Sequence, residues 1–172
     1  ALWLLAVGGV LCFLLYRGYH VQRLRYSRLD LLYRFTQSVD RALQADYLKN
    51  WDGFGIAVQA YQKQAYPLLT ELVRWAAGEK RKLNIRLVKG AYWDTEIKRA
   101  QIASLPDYPL FTRKAHTDLS YLACAQLLLD NRKFVTPMFG THNASTVATI
   151  LDLAGNDRSG FSFQRLYGMG EG

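Results

Sequence analysis

Cysteine is almost missing from this 172-residue chain, whose only two are Cys12 and Cys124. They stand too far apart in the sequence to suggest a disulfide framework, and neither belongs to a CxxC pair, so a cysteine-built metal or redox site is not expected. Cys124, inside the helical run YLACAQLLL, reads as a small buried apolar residue. Glycine-rich phosphate loops of the GxGxxG or Walker type are missing as well. So are a GxSxG elbow and an HExxH pair, which argues against serine-hydrolase and zinc-protease chemistry. Long apolar runs are short here: Ala1–Tyr16 falls below the roughly 20 residues of a spanning helix and lacks the basic n-region and Ala-x-Ala site of a signal peptide.

Acidic residues are outnumbered, with 14 Asp and Glu against 22 Lys and Arg, giving a net charge of +8. Half of that excess lies in residues 1–34, where Arg17, Arg23, Arg25, Arg28 and Arg34 face the single acid Asp30. Basic residues nowhere form a contiguous block, and no zinc-finger, RNP or helix-turn-helix pattern is present, so no nucleic-acid partner is expected. Lysine is missing before Lys49, and the Leu-, Gly- and Arg-rich opening has the bias of a GC-rich coding region read out of frame. Residues 1–27 are therefore set apart from a domain over 28–172, with a membrane anchor as the alternative reading of the opening.

What remains is globular in composition, 50% apolar and 21% charged, and it alternates strand-length and helix-length runs. GFGIAVQA (Gly53–Ala60) predicts a strand, and the segment after Pro67 a helix with Leu68, Leu69, Leu72, Val73 and Ala76 on one face and a stop at Gly78. NIRLVKGAY (Asn84–Tyr92) predicts a second strand, followed by a short helix from Asp94, a proline-containing loop and a helix over His116–Asn131. FVTPMFGT (Phe134–Thr141) predicts a third, with Asn143 and Ser145 as N-cap types and Gly155 as the stop of the next helix. FSFQRLY (Phe161–Tyr167) predicts a fourth. Repeated β-α order implies parallel strands, in an open doubly wound sheet or a (β/α)8 barrel. Polar residues at successive strand ends (Gln59, Arg86 and Lys89, Thr141-His142-Asn143, Gln164) favour the barrel, where such ends converge on one face.

Alternation puts Arg86, Val88, Gly90 and Tyr92 on one side of the second strand and Leu87, Lys89 and Ala91 on the other. If the first set faces the barrel axis, Arg86 lies inside, where a cation is costly unless a carboxylate, a phosphate or an electron-rich ring meets it. Gly90-Ala91 would let backbone N–H groups approach a flat or anionic ligand, with Tyr92 and Trp93 as walls. His142, between a strand end and a helix N-terminus, suits a neutral imidazole that hydrogen-bonds a ligand. His20 and His116 carry no comparable context. A site rich in Arg, Lys, Gln, His and aromatics and poor in paired carboxylates argues against glycosidase chemistry and for a large planar, phosphate-bearing cofactor. No metal site is expected.

Taken together, GFGIAVQAYQ, IRLVKGAYWDTEIKRAQ, YPLFTRKAHTDLSYLACA, FGTHNASTVATI and FQRLYGMGE resemble the proline dehydrogenase domain of the bifunctional proline utilization A family, from about Arg28 to Glu171. The resemblance implies a fragment of a distorted (β/α)8 barrel covering about strands four to seven, with FAD held non-covalently at the strand ends. It implies oxidation of L-proline to Δ1-pyrroline-5-carboxylate by hydride transfer to the flavin, with electrons passed to a membrane quinone, in a protein that also carries an aldehyde dehydrogenase half. The setting it implies is cytoplasmic, peripheral at the inner face of the membrane, with an oligomer possible in the parent.

By the same resemblance Arg86 is the catalytic and cofactor-facing arginine. Gln59, Lys89, Gly90, Ala91, Trp93, Thr141 and His142 contact the cofactor, and Tyr92 and Leu166 wall the proline pocket. An active-site aspartate of the family aligns near Gln22, inside the opening that does not match. The family's carboxylate-holding lysine, tyrosine and arginine pair fall outside these 172 residues, so the chain alone is expected to be inactive.

Overall fold

The computed structural model describes residues 13–18, 35, 37–46, 48 and 51–169. The chain divides into two units, Ala1–Ala42 and Leu43–Gly172. In the first, residues 13–18 and 37–42 are helical, and Phe13, Leu14, Leu15 and Tyr16 are exposed. Among the described residues no helix is long and apolar enough to cross a membrane. Most of 1–27, including Cys12, His20 and Gln22, lies outside the described residues.

The second unit runs β1 (Gly55–Gln59), α1 (Ala65–Gly78), β2 (Leu83–Val88), α2 (Trp93–Ile102), α3 (Lys114–Asp130), β3 (Val135–Gly140), α4 (Ala144–Ala154) and β4 (Ser162–Gln164). The strands form one sheet in the order β1-β2-β3-β4, parallel at every pairing. This is the β-α alternation of a parallel barrel segment. The strands are shorter than their apolar runs suggest. β2 stops at Val88 rather than Tyr92 and β4 at Gln164 rather than Tyr167, because Gly90 turns to φ 142° and the segment after Gln164 leaves the ladder.

Helix boundaries follow from local chemistry. α1 starts at Ala65, ahead of Pro67, so the proline sits in the first turn, where a missing N–H breaks no intrahelical bond. Asn143 caps α4, its side-chain oxygen accepting from Thr146 N at 2.9 Å, and Gly155 ends it at φ 63°. In α3 the buried positions Thr117, Tyr121, Cys124, Ala125, Leu128 and Leu129 form one stripe. This helix packs against α1 on one side and α4 on the other, over β2 and β3. Burial pushes the Cys124 thiol up to about 11, which keeps it an inert core group.

Register gives the sheet two unlike faces. Val58, Leu87 and Phe139 stand side by side under the helices, with Ile85 and Pro137 in the row before them. All five are buried. The opposite face carries Ala57, Arg86, Met138 and Ser162 in one row and Gln59, Val88, Gly140 and Gln164 in the next. None of these eight is buried.

Candidate functional site

The open face and the strand ends above it bound a cavity of about 830 Å³. Its walls include Gln59 from β1, Arg86 and Val88 from β2, Lys89, Gly90, Ala91 and Tyr92 beyond β2, Gly140, Thr141, His142 and Asn143 at the end of β3, Gln164 from β4 and Leu166 beyond it. Nine of the ten residues proposed from sequence thus line one cavity. The tenth, Trp93, donates from Nε1 to Phe111 O at 3.0 Å and lines a neighbouring cavity of about 360 Å³. The two cavities share Lys89, Gly90 and Lys114.

Strict alternation beyond Val88 does not hold. It assigned Lys89 and Ala91 to the face away from Arg86, yet all three line the same cavity, because the strand has ended before Lys89 and Gly90 redirects the chain. The reason for glycine at 90 is also internal. A Cβ there would lie 2.6 Å from the Tyr61 ring, and the φ of 142° is strained for any other residue. Ala91 N is held by Gln59 Oε1 at 3.3 Å, so this glutamine supports the strand-end loop as well as facing the cavity.

Arg86 is exposed on the open face rather than enclosed, and its partner is an amide instead of an acid: Nε donates to Gln164 Oε1 at 2.7 Å. Lys89 is bound to Asp118 on α3 at 2.6 Å, and Lys114 reaches the other oxygen of the same carboxylate at 2.6 Å. These hydrogen bonds, from Lys114 first and then Lys89, hold the Asp118 carboxyl below its ordinary value. Asp118 lines the smaller cavity. The large cavity has no carboxylate among its lining residues and carries the cations Arg86, Lys89 and Lys114. Such a surface favours an anionic ligand. His142 Nε2 accepts from Leu166 N at 3.4 Å, tying the β4 exit to the β3 end.

Beside the smaller cavity the Tyr61 hydroxyl is buried without a hydrogen-bond partner among the described residues. Its pKa is raised, mainly by desolvation. Sequence reasoning missed Tyr61, Lys114 and Asp118. The Lys114–Asp118 spacing was a visible i,i+4 signal, but the Lys89–Asp118 pair joins residues 29 apart and only the fold brings them together. Among the described residues no group of three His, Cys, Asp or Glu side chains could hold a metal ion.

Known proteins are similar to this chain in sequence and fold. The family model described as proline dehydrogenase matches residues 25–172. The chain belongs to the proline dehydrogenase family. The bifunctional protein PutA of Salmonella typhimurium is 52% identical over 126 residues, which cover 72% of this chain and 10% of that protein. The corresponding protein of Rhizobium meliloti is 48% identical over the same length. A crystal structure of Bradyrhizobium japonicum proline utilization A superposes with a TM-score of 0.74 at 56% identity, covering 79% of this chain and 14% of the other. These relatives belong to the (β/α)8 barrel family, and the four parallel strands here are a segment of that fold. The chain spans about a tenth of the length of the curated relatives it matches.

Proposed function

We propose that this segment forms the flavin side of a proline dehydrogenase, in which FAD takes up electrons from L-proline and the product is Δ1-pyrroline-5-carboxylate. The family match over 25–172, joined to a cavity lined by Gln59, Arg86, Lys89, Gly90, Ala91, Thr141 and His142, is the observation that carries this reading. In it, residues 28–172 are barrel and residues 1–27 stand apart. The electrons pass on to a membrane quinone, and the intact protein acts in the cytoplasm, peripheral at the inner membrane face, with an aldehyde dehydrogenase half on the same polypeptide.

The residues suit such a cofactor. A cavity of about 830 Å³ walled by Arg86, Lys89 and Lys114, with Asp118 offsetting one of the two lysine charges, keeps a net positive wall that fits an anionic, planar group, and Gly140 keeps its floor low. A Cβ at 140 would lie 2.9 Å from Val88 Cγ1.

When bound, the flavin supplies a two-electron acceptor for the hydrogen on the carbon beside proline's ring nitrogen. Arg86 brings a charge that persists at every working pH, suited to negative charge that grows as electrons arrive. Gln59 keeps its amide N–H groups available while its oxygen holds Ala91 N. Thr141 Oγ1 accepts from Asn143 N at 3.1 Å, which fixes the β3 exit where His142 points its ring toward the Leu166 backbone. Tyr92 and Leu166 form apolar wall for the substrate. Trp93 closes the neighbouring cavity.

The test uses the intact polypeptide that carries this segment. Purified aerobically, it is expected to show flavin absorbance, and anaerobic L-proline is expected to bleach it with formation of a cyclic imine. Protein that binds no flavin, or flavin that proline leaves oxidised, overturns the proposal. The 172 residues expressed alone, with β1 and β4 as the outer strands of the sheet among the described residues, are expected to show neither activity nor a cooperative thermal transition.

A further inference from the structure

We infer that Gln164 is a positioning residue that steers the Arg86 guanidinium across the sheet while leaving its charge unneutralised. The inference rests on the flavin reading above. Arg86 is on β2 and Gln164 on β4, with β3 between them. Arg86 pairs in register with Met138, and Gln164 with Gly140. The arginine side chain therefore has to pass over β3 to reach its partner. It does so above Gly140, where an added Cβ would lie 3.8 Å from Arg86 Nη2 and 2.9 Å from Val88 Cγ1. An added Cβ would crowd Val88, the residue paired with Gly140 in register, and meet the guanidinium only at ordinary contact distance.

The contact has a defined polarity. Gln164 Oε1 accepts from Arg86 Nε at 2.7 Å, and Gln164 Nε2 lies 3.3 Å from Met138 Sδ, a weak acceptor. Turning the amide over would set an NH2 against the Nε–H, donor against donor, so the arrangement holds only one way. Because the bond uses Nε, the two Nη groups stay available to the cavity. Because the acceptor is an amide, it fixes the arginine without cancelling its charge, which an aspartate or glutamate at the same place would do. Placement and charge are thus supplied by different features, and two substitutions separate them. Gln164→Leu removes the acceptor and adds no charge. Gln164→Glu keeps an acceptor for Nε and adds a negative charge beside the cation.

The experiment compares these variants and Gly140→Ala with the wild type in the intact holoenzyme, reading flavin content, the rate of flavin bleaching at saturating proline, KM, and the flavin reduction potential. Gln164→Leu is expected to slow bleaching about tenfold or more while KM for proline changes much less, and Gly140→Ala, whose methyl crowds Val88 and leaves the guanidinium at contact distance, to have a smaller effect. Gln164→Glu is expected to hold the guanidinium in place yet shift the potential to more negative values, because an added anion disfavours electron uptake. Crystal structures of the variants without flavin give a readout independent of activity, with the guanidinium displaced from its position over Gly140 in Gln164→Leu and retained there in Gln164→Glu. Unchanged rate and potential in variants that carry flavin, or an unmoved guanidinium in Gln164→Leu, overturns the inference. A wild type that takes up no flavin overturns the functional reading instead, and the crystal structures still decide whether Gln164 places Arg86.

Discussion

The two faces of the sheet are built from alternate residues of the same strands and obey different rules. Under the helices, Val58, Ile85, Leu87, Pro137 and Phe139 are apolar and buried, and Phe139 also meets Phe161 and Phe163 at centroid distances of 5.7 and 6.0 Å. Volume and shape decide those positions. On the other face Arg86, Gln59, Met138, Gly140 and Gln164 are not buried, and hydrophobic packing does not account for their polar groups. They present a cation, two amides, a thioether and a gap. A strand that keeps an arginine one residue from Leu87 serves packing on one side and chemistry on the other. The difference teaches where to look for function in a parallel sheet: at the side chains that burial leaves unexplained.

The widest gap between the faces is expected from Phe139→Ala and Arg86→Met. Phe139 is fully buried, and truncating it leaves a cavity costing about 3 to 5 kcal/mol, to be read by chemical denaturation of the intact polypeptide. A loss below about 1 kcal/mol would mean that the helix-covered face is not the stabilising one. Arg86→Met should reverse the pattern. Stability is expected to stay within about 0.5 kcal/mol, since an exposed side chain with one amide partner contributes little to folding. Flavin reduction by proline is expected to fall about 100-fold, the scale for removing one preorganised electrostatic group. Equal reduction rates in wild type and variant would take Arg86 out of the chemistry.

This contrast was partly legible in the sequence. The β-α order, the four strands, the Asn143 cap and the Gly155 stop all come from local signals, namely apolar period, capping side chains and a residue tolerant of positive φ. The alternation within IRLV also put Arg86 opposite Leu87 correctly. It failed after Val88, because alternation is a property of extended backbone and Gly90 leaves that conformation. A second reason for glycine at 90 was out of reach of local signals: an added Cβ would meet the Tyr61 ring, a contact between distant chain segments. Lys114 and Asp118 were invisible as site residues, since a charged pair at helix spacing usually marks a solvated face and only the β2 exit brings Lys89 to it. Gln164 was visible as a polar strand end, but its partner was not, because Arg86 lies 78 residues away.

The smallest effect is expected where the two faces meet, at Asp118. Its carboxylate binds Lys89 at the end of β2 and Lys114 in the first turn of α3, both at 2.6 Å, and is held below its ordinary 3.8 by those bonds. A carboxyl depressed in the folded state stabilises the fold fully above 3.8, and that contribution fades as pH falls through the lowered value. Asp118→Asn removes the charge at every pH. The variant should therefore be less stable than the wild type near neutrality, by under about 1 kcal/mol because water screens the partly exposed group. The two denaturation curves should converge in acid, once the wild-type carboxyl is protonated. Parallel curves across the acid range would show that Asp118 is not the titrating link between the strand end and α3. Convergence would identify the rim of the cavity as an electrostatic joint, separate from the apolar packing beneath it and from the Arg86 chemistry above.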